Sequence, residues 1–192
     1  GPVQPPPLAR LATQGVTFTK AYANPVCATT RRALQYGRWW LRGNGQNCSA
    51  AVSADTPSLG ELSLAEALPA HASAFIGKWH LGTAPGVGAW ECTPLARGYD
   101  AWIAGVPSNV LAGEIACLTS TGYRDWHRVD AGPLGCASSV SSEYHPRVVV
   151  NEFASLWPSL PSPRFVTVNS NLAHAPFHRP PADMLPVGYP PT

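Results

Sequence analysis

The chain has 192 residues, of which 45% are hydrophobic and 12% charged, a composition typical of a folded protein with an ordinary core. Its formal net charge of +2 is too small to indicate nucleic acid or an anionic membrane as a partner. No apolar run approaches the roughly 18 residues that a membrane span needs. The sequence begins Gly-Pro, without a secretory signal or an initiator Met, so we expect a processed product or a piece of a longer protein.

The first part of the chain carries two predicted helices and one predicted strand. An amphipathic pattern from Leu8 predicts a short helix that ends at Gly15. Alternating apolar and polar residues predict a strand over residues 16–22. The segment ATTRRALQYGR, residues 28–38, predicts a helix that opens at its threonines and ends at Gly37.

The middle of the chain begins with a helical pattern and continues into a buried strand. Residues 58–71 predict an amphipathic helix, with Ser58 as its N-cap and Glu61 at capping-box spacing. ASAFIG, residues 72–77, predicts a short buried strand that leads into GKWHLG. The segment 83–145 is rich in Gly, Pro and Ser, so it predicts long loops with short strands.

The last part of the chain repeats the helix and strand pattern. Residues 146–160 predict a helix that ends at Pro158, and RFVTVNSNL, residues 164–172, alternates like a strand. Helix, strand and loop recur three times in this order, which indicates an α/β fold with a mostly parallel sheet flanked by helices. Ligands of such sheets bind beyond the carboxyl ends of the strands. Three loops are predicted there: 23–31, 77–82 and 171–178.

The first loop places Cys27 one helical turn before Arg31. The amino terminus of a helix attracts anions and stabilises a thiolate, and Arg31 would add a fixed charge on the same side. This corner suits a tetrahedral oxyanion. A buried cysteine beside a solvated arginine is the alternative that the two residues leave open.

The second loop, GKWHLG, combines an ammonium and an imidazole. In an extended segment, Lys78 and His80 project from one face and Trp79 from the other. The two groups together can bind an anion and move a proton. A strand with an exposed polar face and a buried Trp is the alternative interpretation.

The third loop contains two histidines, His174 and His178. Pro176 lies between them and disfavours a helix, which argues against a two-histidine helical zinc site. His174 follows the predicted strand directly and is therefore the better candidate for the site.

The five cysteines include at least one that is unpaired within the chain, because their number is odd. No C-x-x-C occurs, which argues against a structural zinc site. The pairing and the redox compartment stay open. The five are Cys27, Cys48, Cys92, Cys117 and Cys136.

Four segments resemble the formylglycine-dependent sulfatases of the alkaline phosphatase superfamily. They are PPPLARLATQGVTFTKAYANPVCATTRRALQYGR with its C-x-x-x-R, GKWHLG, RGYDAWIAG and FVTVNSNLAHAPFHRPP. They stand in the family's order and extend over residues 5–181. The resemblance implies that residues 1–192 are part of a sulfatase catalytic domain, incomplete at both ends. Residues 83–145 would be a loop-rich insertion and residues 179–192 a proline-rich tail.

The resemblance implies hydrolysis of small-molecule or glycan sulfate esters. Cys27 would be oxidised to formylglycine by a formylglycine-generating enzyme, and the hydrate of this aldehyde would attack the sulfur. Arg31 would hold the hydrate, and Lys78 would bridge the hydrate and a sulfate oxygen. His80 would take the proton that drives sulfate release, while His174 would contact the sulfate and help to protonate the leaving alcohol. Family members are secreted, periplasmic or lysosomal.

Two departures from the family's pattern qualify this expectation. Thr29 stands where the modification motif normally has proline, so modification of Cys27 would be weakened. The family also implies a Ca²⁺ or Mg²⁺ ion, bound by residue 27 as formylglycine and by acid pairs on two strands. The segment GPVQPPP contains no acid, and Asp183 is the only acid after His174. We therefore expect the other metal ligands to be missing from this chain and its activity to be weak or absent.

Two alternatives remain at this point. A phosphoester or phosphonate hydrolase of the same superfamily would have a similar anion pocket. A non-catalytic binding protein descended from a sulfatase is favoured by Thr29 and by the missing acids, and opposed by Lys78, His80 and His174, which all serve chemistry. The segment 106–145, with Trp126, His127 and Arg128, would form either a substrate mouth or a solvated loop.

Overall fold

A five-stranded mixed sheet with helices beside it forms the centre of the protein in the computed structural model. The structure describes residues 6–24, 26–39, 60–82, 92–107, 123–172, 174, 179–185 and 187. The helices are α1 (Pro6–Gln14), α2 (Cys27–Tyr36) and α3 (His145–Ser159). The strands are β1 (Ala72–Lys78), β2 (Ala101–Val106), β3 (Trp126–Gly132), β4 (Gly135–Ser141) and β5 (Arg164–Asn169). Short 3₁₀ turns lie at Leu95–Arg97 and Ala182–Met184.

The strand order is β4-β3-β2-β1-β5, with β1 parallel to both β2 and β5. The pairs β2–β3 and β3–β4 are antiparallel. The predicted α/β class and the flanking helices are thus confirmed, whereas the expectation of a mostly parallel sheet is corrected. The reason is the β3–β4 hairpin, whose two-residue turn at 133–134 can only join antiparallel strands. This hairpin lies within the segment predicted to be loops with short strands.

The two faces of β1 pack into two separate hydrophobic clusters, because consecutive residues of a strand point in opposite directions. Phe75 belongs to the cluster that includes Tyr36 of α2, and it contacts Trp79 and Tyr99 edge-to-face at 5.1 and 5.2 Å. Ile76 belongs to the cluster that includes residues of α3. Both side chains are fully buried, and burying each contributes about 1.5–3 kcal/mol. These contacts fix β1 between its flanking helices.

The predicted strand over residues 16–22 is wrong for this structure. This segment forms no strand, and Val16, Phe18 and Tyr22 are 83%, 78% and 91% exposed. A strand is stable only when a neighbouring strand pairs with its N–H and C=O groups. None of the described strands lies beside residues 16–22, so the alternating pattern has nothing to pair with.

The predicted helix over residues 58–71 is also wrong where the structure describes it, since residues 60–71 form turns; Ser58 lies outside the described residues. Side chains here bind the backbone and the core instead. The Ser63 N–H donates to Glu66 Oε2 at 2.6 Å, and the Glu66 N–H donates to Ser63 Oγ at 3.1 Å. This is the reciprocal pattern of a capping box, five residues later than predicted. Glu61 does not cap a helix but binds Arg32.

The other predicted elements are found, with small shifts at their ends. Helix α2 ends before Gly37, whose φ of 61° lies in the left-handed region that glycine favours. The helix begins at Cys27 rather than at its threonines, and the Thr29 hydroxyl donates to the carbonyl of Val26 at 2.8 Å. Helix α3 includes Pro158 and continues to Ser159.

Cys92 and Cys136 form a disulfide, and Cys27 is free. Cys48 and Cys117 lie outside the described residues. The disulfide connects the turn before Leu95–Arg97 with β4, across 44 residues of chain. No helix in the described part of the chain is long and apolar enough to cross a membrane.

Candidate active site

The amino terminus of α2 meets the carboxyl end of β1. Cys27 is the first residue of α2, and its Sγ lies 3.1 Å from Nδ1 of His80. Arg31, one turn further along, donates from Nη1 to the carbonyl oxygen of Lys78 at 2.6 Å. The structure therefore brings Cys27, Arg31, Lys78 and His80 together, although their catalytic roles stay predictions.

The GKWHLG segment turns sharply because its glycines and its Trp are fastened to neighbouring elements. Gly77 has a φ of 87°, and a Cβ there would lie 2.2 Å from the carbonyl oxygen of Asn169 on β5. Trp79 is buried in the core, and its Nε1 donates to the carbonyl oxygen of Gly82 at 3.1 Å. With Trp79 held on the core side, Lys78 and His80 are left to face α2.

His80 sits beyond the end of β1 in a left-handed conformation, with a φ of 56° that is rare for a residue with a side chain. Its N–H donates to the carbonyl oxygen of Pro107 at 2.7 Å, which holds the strained backbone in place. The β1–β2 register shifts between Ile76 and Lys78, so the regular ladder has already ended before His80. Backbone strain of this kind is common at functional sites.

Burial and mutual repulsion set the protonation of the cluster. Burial lowers the pKa of Lys78 to about 8; the Cys27 thiol opposes this shift and Arg31 adds to it. Burial, followed by the charges of Lys78, Arg31 and His174, lowers the pKa of His80 to about 3. Burial also lowers the pKa of Arg31. Near neutral pH, His80 is therefore a neutral imidazole that can accept a proton, and Lys78 is a cation close to losing its charge.

An anion would relieve this arrangement. The charge of Arg31 lowers the pKa of Lys78, and the charges of Lys78, Arg31 and His174 lower that of His80. A negative charge placed among them therefore raises the pKa of Lys78 and of His80. The Nε of Arg31 is buried without a hydrogen-bond partner, although buried N–H groups are almost always bonded. A tetrahedral oxyanion could accept from this N–H and from the other cations. The geometry thus favours an anion-binding corner over a solvated arginine.

The backbone at Asn171 and His174 is held by Tyr123. The Tyr123 hydroxyl donates to the carbonyl oxygens of Asn171 and His174, and the His174 N–H donates to the carbonyl of Asn171 at 3.0 Å. His174 is exposed, and its charge contributes to the lowered pKa of His80. His178 lies outside the described residues. Sequence reasoning missed Tyr123, because nothing in the loop-rich segment distinguishes this tyrosine from any other.

Asn169 is a second residue that sequence reasoning missed. It is the last residue of β5, and its Nδ2 donates to the carbonyl oxygen of Lys78 at 3.3 Å. A signal for it existed, since a polar residue at the carboxyl end of a parallel strand lies where ligands bind.

Two of the three residues considered for a substrate mouth serve the core instead. Trp126 is fully buried and contacts the His145 ring edge-to-face at 4.6 Å. Arg128 pairs with Asp130 and with Glu152 of α3. These residues belong to β3, so residues 126–128 are not a solvated loop; residues 108–122 of the predicted segment lie outside the described residues, and the substrate mouth stays a prediction.

A divalent metal finds few ligands in the described part of the chain, which contains no group of three or more His, Cys, Asp or Glu residues able to hold an ion. Glu61, the acid that contacts α2, is bound by Arg32 and Arg38. Ca²⁺ needs six or more oxygen ligands. The described residues therefore do not fit this ion.

The family model and the similar proteins all belong to one family, the sulfatases. The family model described as Sulfatase matches residues 1–184. The chain is similar to human N-acetylgalactosamine-6-sulfatase, with 33% identity over 141 residues, covering 65% of this chain and 25% of that protein. It is also similar to rat arylsulfatase G (32% over 119 residues; 60% and 21%) and mouse steryl-sulfatase (36% over 116 residues; 55% and 18%). The chain spans about a quarter or less of the length of these relatives.

A solved structure from work on glycosaminoglycan metabolism by Bacteroides thetaiotaomicron has a similar fold. Its TM-score to this chain is 0.62, and the match covers 89% of this chain and 46% of that one. Because the sequence identity is 17%, the likeness concerns the fold alone.

Proposed function

Because the chain belongs to the sulfatase family, we propose that it hydrolyses sulfate esters at the corner formed by α2 and β1. The observation that carries the proposal is the 3.1 Å contact between Cys27 Sγ and His80 Nδ1, beside Arg31 and Lys78. We assign the nucleophile to residue 27, the base to His80 and the fixed positive charges to Arg31 and Lys78, and these contacts support the assignment. These are the groups that displacement at a sulfate ester needs.

Residue 27 would act as formylglycine. In this structure, the Sγ atom of the unmodified Cys27 marks the position that a hydroxyl of the hydrated aldehyde would take. When present, that group supplies the oxygen nucleophile that attacks sulfur. Arg31 and Lys78 would bind the sulfate oxygens and hold residue 27 in place. His80 Nδ1 would accept the proton of the hydroxyl that remains on residue 27, so that the sulfate is released as the aldehyde re-forms. His174 gives a proton to the departing alcohol. Overall, one water molecule is consumed, and an alcohol, sulfate and a proton are released.

A Ca²⁺ or Mg²⁺ ion belongs to the family's chemistry and would add further positive charge at the sulfate. Among the described residues, residue 27 as formylglycine is the ligand that the family resemblance provides. We propose no other ligand from this chain.

We also propose a compartment, and the cysteines support it. A disulfide such as Cys92–Cys136 persists in oxidising surroundings and is rare in the cytosol. This supports the proposal that the protein is secreted, periplasmic or lysosomal.

The experiment that tests the proposal is mass spectrometry combined with an assay. The full chain is produced together with a formylglycine-generating enzyme, and the tryptic peptide of residues 21–31, which contains Cys27, is weighed. We expect an aldehyde or its hydrate in this peptide and release of alcohol from an aryl sulfate. Cys27→Ala is the matched control and should abolish release. A fully converted peptide without any hydrolysis of aryl or sugar sulfates contradicts the proposal.

A phosphoester hydrolase is the second candidate, and one observation favours it. The cluster of Arg31, Lys78 and His80 is mutually repulsive, so a phosphate dianion would relieve it more than a sulfate monoanion does. The same assay with an aryl phosphate separates the two. Faster turnover of the phosphate would reverse their order.

A further inference from the structure

The carbonyl oxygen of Lys78 is shared by two side chains. Arg31 donates to it from Nη1 at 2.6 Å, and Asn169 donates to it from Nδ2 at 3.3 Å. A carbonyl oxygen has two lone pairs, so both acceptor sites of this oxygen are used. The peptide after β1 therefore links β5 to the guanidinium of α2.

Asn169 is itself firmly held. It is the last residue of β5, paired in register with Gly77 of β1. Its own carbonyl oxygen lies 2.2 Å from where a Cβ of Gly77 would be, so the two strands touch at this point. The side-chain amide of Asn169 consequently starts from a fixed backbone.

Arg31, by contrast, depends on this anchor. Its guanidinium is bound to the Lys78 carbonyl, while its Nε is buried without a hydrogen-bond partner. Burial already disfavours its charge, which the lowered pKa of Arg31 reflects. If the Lys78 peptide turned, the guanidinium would lose its acceptor and could move toward solvent.

We infer that Asn169 is a positioning residue, which orients the Lys78 peptide and thereby aims the Arg31 guanidinium at the anion. The inference rests on the proposed function for its role in catalysis, but not for its role in anion binding. A group that is already oriented loses less entropy when it binds, so a small displacement of Arg31 weakens the site.

The test uses Cys27 itself as the reporter, in the full unmodified chain. Iodoacetamide alkylation of Cys27 is followed by mass spectrometry of the peptide containing residues 21–31, with and without inorganic sulfate. Sulfate should protect Cys27 in the parent chain. In Asn169→Ala, the sulfate concentration for half protection should rise about tenfold, because one hydrogen bond that holds the site is lost. Asn151→Ala, an exposed asparagine of α3, is the matched control and should change nothing.

A double-mutant cycle separates positioning from simple stability. If Asn169 acts through Arg31, sulfate should protect Cys27 as well in the double variant Arg31→Lys, Asn169→Ala as in Arg31→Lys alone. A merely structural role predicts additive effects and a matching fall in melting temperature. Additivity, protection in Asn169→Ala within twofold of the parent, or no protection in the parent would each overturn the inference.

Hydrolysis is measured separately in the converted chain, so that the two proposals fail in different ways. If Asn169→Ala weakens sulfate protection while no variant hydrolyses a sulfate ester, the positioning role stands and the proposed activity fails. If hydrolysis is present and Asn169→Ala changes neither protection nor kcat/KM, the positioning role fails and the activity stands.

Discussion

Two consecutive arginines of α2 meet opposite surroundings. Arg32 points into the core and binds both carboxylate oxygens of Glu61 at 2.9 Å. Arg31 points toward β1, where it binds a backbone carbonyl and lies among other cations. A buried cation that faces a carboxylate is compensated, whereas one that faces another cation raises the energy of the empty site and has affinity for an anion.

The core side of α2 is a connected polar network. Arg97 donates from Nε to the Tyr36 hydroxyl at 3.1 Å and pairs with Glu66 at 3.3 Å. The Tyr99 hydroxyl is 2.8 Å from both Gln35 Oε1 and Thr167 Oγ1. Through these bonds α2 is tied to the turns before β1 and to β5. The network thus places Cys27, although none of these residues touches the site.

The largest expected effect comes from breaking the paired side of α2. Glu61→Gln leaves the buried Arg32 without its counter-charge and should lower the free energy of unfolding by about 3–5 kcal/mol. Urea unfolding measures it. Glu152→Gln removes a partly exposed acid from Arg128, which keeps Asp130, and should cost less than about 1 kcal/mol. Equal losses for both variants would show that the Arg32–Glu61 pair is not special.

A substitution in the cluster on the side of α2 that faces β1 should raise the free energy of unfolding rather than lower it. Lys78→Met removes a buried ammonium whose pKa is lowered to about 8, so the free energy of unfolding at pH 7 should rise by about 2–3 kcal/mol. Hydrolysis should be lost at the same time. A destabilised Lys78→Met chain would contradict the view that the site is kept at the cost of stability.

Lowering the pH should destabilise the protein through His80, which lies in the same cluster as Arg31 and Lys78. The folded pKa of His80 is about 3 against 6.5 in the unfolded chain, so the unfolded state binds the proton first as the pH falls. Stability contributed by the neutral ring is therefore present above pH 6.5 and is lost progressively toward pH 3. In His80→Asn, the fall in the free energy of unfolding between pH 6.5 and 3 should be smaller by roughly 2 kcal/mol, a value reduced because His80 is partly exposed.

His145 titrates in the same acid range, because burial lowers its pKa to about 4. The His80→Asn profile must therefore be compared with that of the parent, in which both histidines contribute. If the free energy of unfolding falls equally steeply between pH 6.5 and 3 in His80→Asn and in the parent, the pKa of His80 is not lowered in the folded chain.

The smallest effect is expected on the outer surface of α2. Leu34 is 60% exposed, so Leu34→Ala should change the free energy of unfolding by less than about 0.5 kcal/mol. Urea unfolding beside Glu61→Gln shows the contrast within one helix. A loss above about 1 kcal/mol would mean that this surface is covered in solution.

Local patterns predicted the elements whose partners lie nearby. The helix at Cys27, the strand before GKWHLG and the strand before His174 follow from periodicity and glycine positions, and all three are present. The strand over 16–22 failed because pairing is a property of two segments, and periodicity reads only one. The helix over 58–71 failed because Glu61 binds Arg32 and the Ser63 hydroxyl donates to the carbonyl of Arg97, which are contacts with groups distant in sequence.

The site was predictable only in part, for a similar reason. Lys78 and His80 are two residues apart, so their proximity follows from the sequence, whereas the left-handed backbone of His80 does not. The difference between Arg31 and Arg32 does not, because it depends on which side of α2 meets Glu61. The hydroxyl of Tyr123 and the amide of Asn169 act on backbone carbonyls far away in sequence. No local pattern records such bonds.

Gly77 allows β1 and β5 to approach each other closely beside the candidate site, because it has no side chain. Any larger group on its α-carbon would wedge β1 away from β5 and carry the ends of both strands apart. The reactive side chains could be exchanged for others without moving the backbone, but this residue could not. A single hydrogen atom, in the place of a side chain, thus sets how closely β5 approaches β1 beside the peptide of Lys78.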